Sequence, residues 1–480
     1  MGIPYYFYTI SRAYPGVILD KLPADIDHFF IDFNGMIHPS AQHVIASFED
    51  AEAPEEAITE LVLKKVLEDT ESIIATVCPK IHTYICTDGV APLAKINQQR
   101  KRRYLSSSEQ GALWDKNCIS PCTEFMKKLS AYMIENMVSS RRDITFSGSE
   151  EYGEGEHKIF RYIADAATKG RICIHGLDAD LIMLSLCSHK EGIILMRDNT
   201  YIDIDALRRA IFSDIQTKYN WKIDDPKDTI ETYVALCFLL GNDFIPHPVG
   251  LSLKNNGHEI LLRAASKVYN FSAGGLILDG QINTEFLHKL LVELQKTEDA
   301  DTLCIIEQYH KKHLTEVTKD PLVESILSNP KCWRQLYYRG LFGSKDTSII
   351  KNACQKFLDG IAFTYAYYTR KRYDSNYIYP YTYAPSIFDL ANEVHAWKPT
   401  TVVETHQLDP VVQLLAILPL ESGSLLPPKV RVLMQDPKYG CAHMFPSKFA
   451  VQTFLKTHKW ECSPVLPAID IPLLTSAIRG

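Results

Sequence analysis

The sequence lacks the long apolar runs, the charge excess and the paired cysteines that mark several classes of protein. No stretch approaches about 18 consecutive apolar residues, which argues against a membrane-spanning helix. The opening residues MGIPYYFYTI do not have the charged and then apolar layout of a secretory signal, and Tyr6 stands where N-myristoylation requires serine or threonine. The net charge of −7 argues against a protein that coats nucleic acid indiscriminately. We therefore expect no membrane partner, and any nucleic-acid site must be local.

The 12 cysteines are scattered without paired spacing. The closest pair, Cys118 and Cys122, has no second half, so neither a zinc ribbon nor a disulfide framework is predicted. A reducing intracellular compartment fits this usage best. No internal repeat and no low-complexity tract is visible in the sequence. With 480 residues, 46% of them hydrophobic and 23% charged, the composition is that of a globular protein with two or three domains.

Short apolar runs alternate with amphipathic stretches in the first half of the chain, a pattern typical of a mostly parallel sheet covered by helices. Five runs are candidate strands: HFFIDF, IHTYICTDG, DITFSG, RICIHG and GIILMRD. Helical patterns between them cover residues 55–77, 124–137 and 158–168. From about residue 254 the pattern becomes mainly helical, and GIAFTYAYYTRKRY predicts a further, aromatic-rich helix. We therefore predict an α/β fold with an appended helical region.

Acidic residues end several of these predicted elements. One such aspartate is usually a helix cap or a turn, and glutamates at a helix start, as in GEGEHK, are stabilised by the helix dipole by about 0.3–1 kcal/mol each. The carboxyl ends of parallel strands meet at one edge of a sheet, so we expect these acids to converge there. Seven residues share this placement: Asp32, Asp88, Glu154, Glu156, Asp178, Asp180 and Asp243.

Clustered carboxylates repel one another and raise one another's pKa values unless cations lie between them. Oxygen ligands without a matching set of cysteines and histidines favour Mg²⁺ or Mn²⁺ over Zn²⁺. Two such ions about 3.5–4 Å apart are the usual device for in-line attack on a phosphodiester. The sequence thus predicts a two-metal site, in which Gly153 and Gly155 let ions and substrate approach closely.

One run of the sequence is strongly basic. KINQQRKRR, residues 95–103, holds five basic residues in nine positions and no acid. Such a run is most often a solvated helix face. The alternative is a phosphate site, because arginine donates bidentate hydrogen bonds to phosphate oxygens and lysine adds a point charge.

Taken together, the motifs resemble the XRN-type 5′-to-3′ exoribonucleases, whose nuclease region belongs with the flap-endonuclease-like (PIN-like) folds. The resemblance is carried in order by MGIPYYF, FNGMIH, TDGVAPLAKINQQRKRRY, NCISPCTEFM, YGEGEHKIFRYI, HGLDADLIML, GNDFIPH, YPYTYAP and LPPK. It implies a nuclease domain over residues 1–255, a variable helical connector over 256–330, and a second conserved region over 331–480 that encloses the active site.

The resemblance also implies roles for residues. The seven acids would bind the catalytic metals, which agrees with the expectation from their positions alone. A pocket for the 5′-monophosphate would be formed by Lys95, Gln99, Arg102 and Arg103. His38 would stack on the 5′-terminal base, although a lone histidine near a strand end is more often structural. Tyr377 would take the place of the family's stacking tryptophan, the alternative being that it packs in an aromatic cluster with the nearby tyrosines.

We therefore expect an enzyme that degrades single-stranded RNA with a 5′-monophosphate processively to nucleoside 5′-monophosphates, as a monomer with two Mg²⁺ or Mn²⁺ ions. No cysteine or histidine lies in the segment where the nuclear branch of the family has a zinc element, so the chain resembles the cytoplasmic branch. Two alternatives stay open: a flap-type DNA nuclease, which shares the acids, and an inactive nuclease kept as an RNA-binding scaffold.

Overall fold

The structure is a computed structural model, and it describes residues 2–48, 54–107, 114–166, 168–221, 225–269, 274–313, 320–399 and 407–479. The chain forms two compact units, each assembled from separate stretches. We call residues 16–205, 406–451 and 463–480 the sheet unit, and residues 1–15, 206–405 and 452–462 the helical unit.

The sheet unit is built around a seven-stranded sheet within the described residues. Its strands are β1 (Ile18–Leu19), β2 (His28–Asp32), β3 (His82–Cys86), β4 (Ile144–Ser147), β5 (Ile172–His175), β6 (Ile193–Arg197) and β7 (Thr200–Asp203). They lie in the order β1-β7-β6-β5-β2-β3-β4. The pairs from β4 through β3, β2 and β5 to β6 are parallel, whereas β7 pairs antiparallel with both β6 and β1. The connections run outward in opposite directions on the two sides of β2, so a topological switch point lies between β2 and β5.

Helices cover this sheet because its central strands are apolar on both faces. Within the sheet unit they are α2 (Asn34–Ala46), α3 (Glu55–Val77), α4 (Leu93–Ser107), α5 (Glu124–Met133), α6 (Gly155–Asp165), α7 (Asp180–Cys187), α16 (Pro410–Ile417), α17 (Pro428–Arg431) and α18 (Ile471–Arg479). One hydrophobic cluster joins Phe29 and Ile31 to the inner faces of α2, α3 and α5. A second joins Ala91 and Ile96 to α16 and Leu474. Residues far apart in the sequence, such as Ile96 and Leu474, therefore contribute to the interior of this unit.

The helical unit consists mainly of helices. They are α1 (Tyr6–Ala13), α8 (Ile204–Thr217, which begins in the sheet unit), α9 (Pro226–Phe238), α10 (Gly257–Tyr269), α11 (Thr284–Lys312), α12 (Pro321–Ser328), α13 (Trp333–Leu341), α14 (Thr347–Tyr368) and α15 (Ile387–Glu393). A short hairpin, β8 (Ile277–Leu278) with β9 (Gln281–Ile282), precedes α11. Strands β10 (Val451–Gln452) and β11 (Ser463–Pro464) lie where the chain passes between the two units. An aromatic cluster around Trp333, Tyr337 and Phe454 forms part of the core of the helical unit.

The predicted fold class, a mostly parallel sheet flanked by helices with an appended helical region, is confirmed. Each of the five candidate runs contains a strand, β2 to β6. The predicted helix over 55–77 matches α3, whereas the one over 124–137 ends as an α-helix at Met133 and continues as a π-helical turn, Ile134–Val138. The two antiparallel strands, β1 at the edge of the sheet and β7 next to it, were not predicted. The predicted domain boundaries follow stretches of family likeness rather than compactness, and they stay a prediction.

Among the helices that the structure describes, none combines the length and the apolar character needed to cross a bilayer.

Candidate active site

The candidate site is built first from β2 and β3, whose ends bring two acids to one edge of the sheet. Asp32 is the last residue of β2 and is paired in register with Cys86, the last residue of β3. Asp88 follows β3 by two residues, and Asn34, at the start of α2, holds it from the side: Asn34 Nδ2 donates to Asp88 Oδ2 over 2.9 Å, and the Asp88 amide donates to Asn34 Oδ1 over 3.1 Å. This edge lies beside the switch point, where α/β proteins place ligands.

The loop between β4 and α6 brings the glutamates of GEGEHK to the same edge. Glu154 stands at the N-cap position of α6 without a capping side-chain bond, and the amide of Gly155 donates to Asp88 Oδ1 over 2.8 Å. A β-carbon at Gly155 would lie 2.8 Å from Asp32 Oδ1 and 3.1 Å from the carbonyl oxygen of Cys86. Because any side chain at Gly155 would meet these atoms, the glycine permits the close approach of the helix start to the strand ends.

The side chains that these elements bring together can hold metal ions. One ligand oxygen each from Asp32, Asp88 and Glu156 lie within 4.8 Å of one another, and the same holds for ligand atoms of Glu154, Glu156 and His157. The buried Asp32 Oδ1 has no hydrogen-bond donor in the structure. An orphaned carboxylate oxygen inside a group of further oxygens is the donor set that hard divalent cations prefer. The residues present therefore fit the predicted Mg²⁺ or Mn²⁺.

Burial and like charges together oppose ionisation in this cluster. Burial, followed by the charges of Asp88 and Asp178, raises the pKa of Asp32 well above its usual range. Burial and the neighbouring Glu154 likewise raise the pKa of Glu156. Lys95 opposes both shifts, and its ammonium lies 2.9 Å from Glu154 Oε1 with both side chains buried. Buried carboxylates that repel one another form a site that attracts cations.

The remaining predicted acids are placed differently. Asp178 follows β5 and is half-buried, and its charge contributes to the raised pKa of Asp32. Asp180 is the first residue of α7 and is buried. Asp243 lies in the loop after α9, and this loop belongs to the helical unit. Six of the seven acids thus lie in the sheet unit, and the metal-binding role of all seven stays a prediction.

The basic run forms most of α4, and its residues divide between interior and surface. Arg102 is exposed, whereas Arg103 is half-buried and donates from Nη1 to Asn117 Oδ1 over 2.8 Å. Burial, followed by the charge of Arg102, lowers the pKa of Arg103 to about 10, which leaves it charged at neutral pH. The buried side-chain oxygen of Gln99 has no hydrogen-bond donor in the structure. Lys95 is engaged with Glu154, so it connects the basic helix to the acids.

His38 lies on α2, close enough to this basic helix for its charges to act on the ring. Although the residue is exposed, the surrounding protein and then the charges of Arg103 and Arg102 lower the pKa of His38 to about 4. The ring is therefore neutral at pH 7. A neutral exposed imidazole is compatible with stacking on a base.

Tyr377 belongs to the helical unit, and its surroundings favour the alternative of aromatic packing. It is buried, its ring stacks on Phe363 with centroids 4.8 Å apart, and its hydroxyl donates to the carbonyl oxygen of Lys356 over 3.0 Å. A β-carbon at Gly360 would lie 2.2 Å from that hydroxyl. Tyr379 and Tyr383, from the same run, are also buried. The ring is therefore covered by protein in this structure, which speaks against a free stacking face.

Sequence reasoning missed two residues that position the acids. Asn34 binds Asp88 through both groups of its side-chain amide. The sequence feature that could have indicated this role is an asparagine two positions after Asp32, in FIDFNG. Lys158 is buried and donates to the carbonyl oxygens of Thr87 and Gly148, over 2.9 and 2.7 Å. It thereby ties the loop after β3 to the loop after β4. The sequence feature that could have indicated the role of Lys158 is its position on the apolar side of a helix start, which is uncommon for a lysine unless the ammonium has partners.

The fold and the site define an α/β protein with a carboxylate centre at the switch point of its sheet. The chain matches the model of the XRN 5'-3' exonuclease N-terminus over residues 1–113 and 105–199, and that of the Xrn1 helical domain over residues 305–480. It belongs to the XRN family.

Curated relatives align along the whole chain. The chain is 26% identical to human 5'-3' exoribonuclease 1, 25% to 5'-3' exoribonuclease 1 of Schizosaccharomyces pombe and 22% to 5'-3' exoribonuclease 2 of Gallus gallus. Each alignment covers 100% of this chain. The aligned region spans 34%, 48% and 70% of these relatives. The chain thus matches about a third to a half of the length of the first two.

Among solved structures, a bacteriophage T5 flap endonuclease in complex with DNA and metal ions aligns with 64% of this chain and 99% of its own, at 12% identity and a TM-score of 0.29. A TM-score of this size does not establish a shared fold.

Proposed function

We propose that the chain is a metal-dependent 5′-to-3′ exoribonuclease that processively degrades single-stranded RNA with a 5′-monophosphate to nucleoside 5′-monophosphates. The observation that carries the proposal is the group of Asp32, Asp88 and Glu156, with ligand oxygens within 4.8 Å of one another at the carboxyl edge of the sheet. Membership of the XRN family and relatives named as exoribonucleases support the choice of RNA and of polarity.

In this proposal the acids hold two divalent cations. The ligands are drawn from Asp32, Asp88, Glu154, Glu156, Asp178, Asp180 and Asp243. When bound, the cations supply a nucleophile at neutral pH and charge stabilisation at the phosphodiester. The protein's own part is to fix the carboxylates in place: Asn34 orients Asp88, the Gly155 amide holds the other oxygen of the same carboxylate, and Lys95 pairs with Glu154.

The 5′ end of the RNA is recognised by α4 and α2 in this proposal. Arg102 and Arg103 present guanidinium groups to the terminal phosphate, Gln99 has an amide available, and Lys95 adds charge between phosphate and metals. The neutral imidazole of His38 stacks on the first base. Because a 5′-hydroxyl offers no charge to these groups, the monophosphate should be strongly preferred.

We also propose that the chain is a monomer. We propose that it acts in cytoplasmic RNA decay, on the ground that residues 211–236, between the D-x-D and G-N-D motifs, contain no cysteine or histidine for a zinc element. Light scattering of the purified chain tests the monomer, and imaging of the tagged chain tests the compartment.

The decisive experiment compares RNAs of one sequence that carry a 5′-monophosphate, 5′-hydroxyl or 5′-triphosphate, with Mg²⁺ or EDTA. We expect mononucleotide release from the monophosphate RNA alone, no release in EDTA, and no release by Asp178→Ala. The double variant Arg102→Ala with Arg103→Ala should lose the preference for monophosphate, whereas the exposed control Arg263→Ala should keep it.

Two outcomes would count against the proposal. Full activity of Asp178→Ala would remove the metal-site assignment. Cleavage of a flapped DNA in preference to every RNA would favour the alternative of a DNA nuclease.

A further inference from the structure

The helical unit carries an exposed group of aromatic rings that the proposed chemistry does not use. Trp460 is 51% exposed. Its ring is nearly parallel to that of His458, at 9° with centroids 6.0 Å apart, and the ring of Tyr5 lies 6.1 Å away at 45°. A large indole that is half in water and supported by two further rings is unusual for a residue whose only role is packing.

One cation lies against these rings, and another is next to Trp460 in sequence. The ammonium of Lys254 lies 4.9 Å from the ring centre of Tyr5, and Lys459 is exposed next to Trp460 in sequence. One turn into α1, the exposed Tyr8 is covered by the guanidinium of Arg12 at 4.3 Å. The carboxylate of Glu461 forms an ion pair with Lys254 and accepts a long bond, 3.5 Å, from the Tyr5 hydroxyl. The surface is therefore locally basic although the chain as a whole carries a charge of −7.

The backbone of Tyr5 is held in an unfavourable conformation at this place. Its φ of 65° and ψ of 4° lie in the left-handed region, where glycine or asparagine is usual and a bulky ring is rare. Such conformations persist only where surrounding contacts over-determine them, and they cluster at binding sites. The contacts of the Tyr5 ring with Trp460 and Lys254 are the compensation visible here.

We propose that Trp460, supported by His458 and Tyr5, is a stacking platform for an unpaired base of single-stranded RNA, with Lys254, Lys459 and Arg12 contacting the neighbouring phosphates. Exposed rings flanked by cations are the arrangement that binds single strands without sequence preference, because every base has a flat face and every linkage a charge. The choice of RNA as the polynucleotide rests on the proposed function. The rim of the platform is cationic, which fits a polyanion better than an apolar peptide.

Binding can be measured without hydrolysis. A 5′-hydroxyl oligouridylate in EDTA avoids both the predicted phosphate pocket and the predicted metals. We expect RNA to quench the tryptophan emission of the wild type, and Trp460→Ala to remove most of this quenching and to weaken the dissociation constant about 5- to 100-fold. Trp460→Phe should restore part of the affinity. The control Phe388→Ala, which removes another exposed ring under an arginine, should bind as the wild type does.

The same oligonucleotide with abasic positions keeps the folded wild type as the test protein, in case Trp460→Ala does not fold. The wild type should bind the abasic strand as weakly as Trp460→Ala binds the normal strand. Trp460→Phe should bind the abasic strand with the same affinity as the wild type does. Equal affinity of the wild type for normal and abasic strands, or equal affinity of Trp460→Ala and the wild type for normal RNA, would overturn the proposal. Absence of nucleotide release from 5′-monophosphate RNA by the wild type would refute the proposed function instead, and it would leave this comparison intact.

Discussion

Asp32 illustrates, at the scale of single residues, how a site built for chemistry opposes folding. Its pKa is raised in the folded state, so ionisation is easier in the unfolded chain. The stability associated with this group is therefore fully present below its unfolded pKa of about 4 and is lost as the pH rises through the folded value. A bound divalent cation reverses the loss, because it favours the ionised form.

The first prediction concerns Asp32→Asn. We expect the melting temperature of the metal-free protein to rise by roughly 1–2 °C, since about 1 kcal/mol of the cost of a buried charge among like charges is removed, and to rise more at pH 8 than at pH 5. Nucleotide release should be abolished, and stabilisation by Mg²⁺ should fall sharply. Calorimetry at both pH values with and without Mg²⁺ measures this, with the exposed Glu68→Gln as the control. A variant that gains as much stability from Mg²⁺ as the wild type would contradict the metal-site assignment.

The second prediction concerns Tyr377→Ala. Because the ring packs on Phe363 and the hydroxyl is bonded, we expect a loss of about 3–5 kcal/mol in the free energy of unfolding. The nearby Tyr381→Ala should cost under about 1 kcal/mol, since that ring is half-buried and its hydroxyl bond is long, 3.3 Å. Denaturant titration gives both values. If Tyr377→Ala keeps its stability and loses only RNA turnover, that result would support stacking of Tyr377 on the 5′-terminal base.

Helix α4 shows, at the scale of elements, how one basic run serves two purposes. Arg100 is almost fully buried, and it donates to the carbonyl oxygens of Pro467, over 2.8 Å, and of Met444. Arg102, two residues on, is exposed. Neither residue type nor spacing distinguishes the two, since the partners of Arg100 lie more than 300 residues away in the sequence.

The third prediction separates these arginines. Arg100→Met leaves two buried carbonyl oxygens without a donor, so we expect it to lower the free energy of unfolding by about 2–4 kcal/mol while the folded fraction keeps its preference for 5′-monophosphate RNA. Arg102→Ala should do the opposite, with an unchanged melting temperature and a weaker preference. Thermal melting and competition between monophosphate and hydroxyl RNAs read out both effects. Equal loss of preference in the two variants would place Arg100 in the pocket.

Local patterns predicted the elements whose determinants are local. Helix α3 was predicted with its observed ends because Val62, Val66 and Ile74 recur on one face. The acids of the sheet edge were grouped from their positions after strands, and the structure brings Asp32, Asp88 and Glu156 together. Strands β1 and β7 escaped prediction because they are short and partly exposed, and their pairing is set by tertiary contact. The clamp of Asn34 and the burial of Tyr377 depend on partners that periodicity does not reveal.

At the scale of the whole molecule, the two units are interleaved along the chain. The sheet unit contains residues 16–205 but also 406–451 and 463–480. The cluster that joins Ala91 and Ile96 to Leu414 and Leu474 is thus completed only by the far end of the chain. Sequence likeness alone would place a separable domain at residues 1–255.

The fourth prediction follows from this interleaving. Residues 1–255 expressed alone should lack a cooperative melting transition and bind a hydrophobic dye, because Ala91, Ile96 and Arg100 lose their partners. Co-expression with residues 406–480 should restore solubility in part. Cooperative melting of the isolated fragment near the temperature of the full chain would show that the sheet unit is complete without its distant segments.

The hydrogen bond between Arg100 and Pro467 has a consequence for folding during synthesis of the chain. The two residues are 367 positions apart, and ribosomes add about 5–20 residues per second, so the guanidinium waits roughly 20–70 s for its acceptor. During that interval the guanidinium of Arg100, which is buried in the folded chain, and the apolar surface of α4 are not yet covered. Until residues 444 and 467 have been synthesised, Arg100 lacks both of these acceptors, so α4 cannot reach its final packing while this part of the chain is still being made.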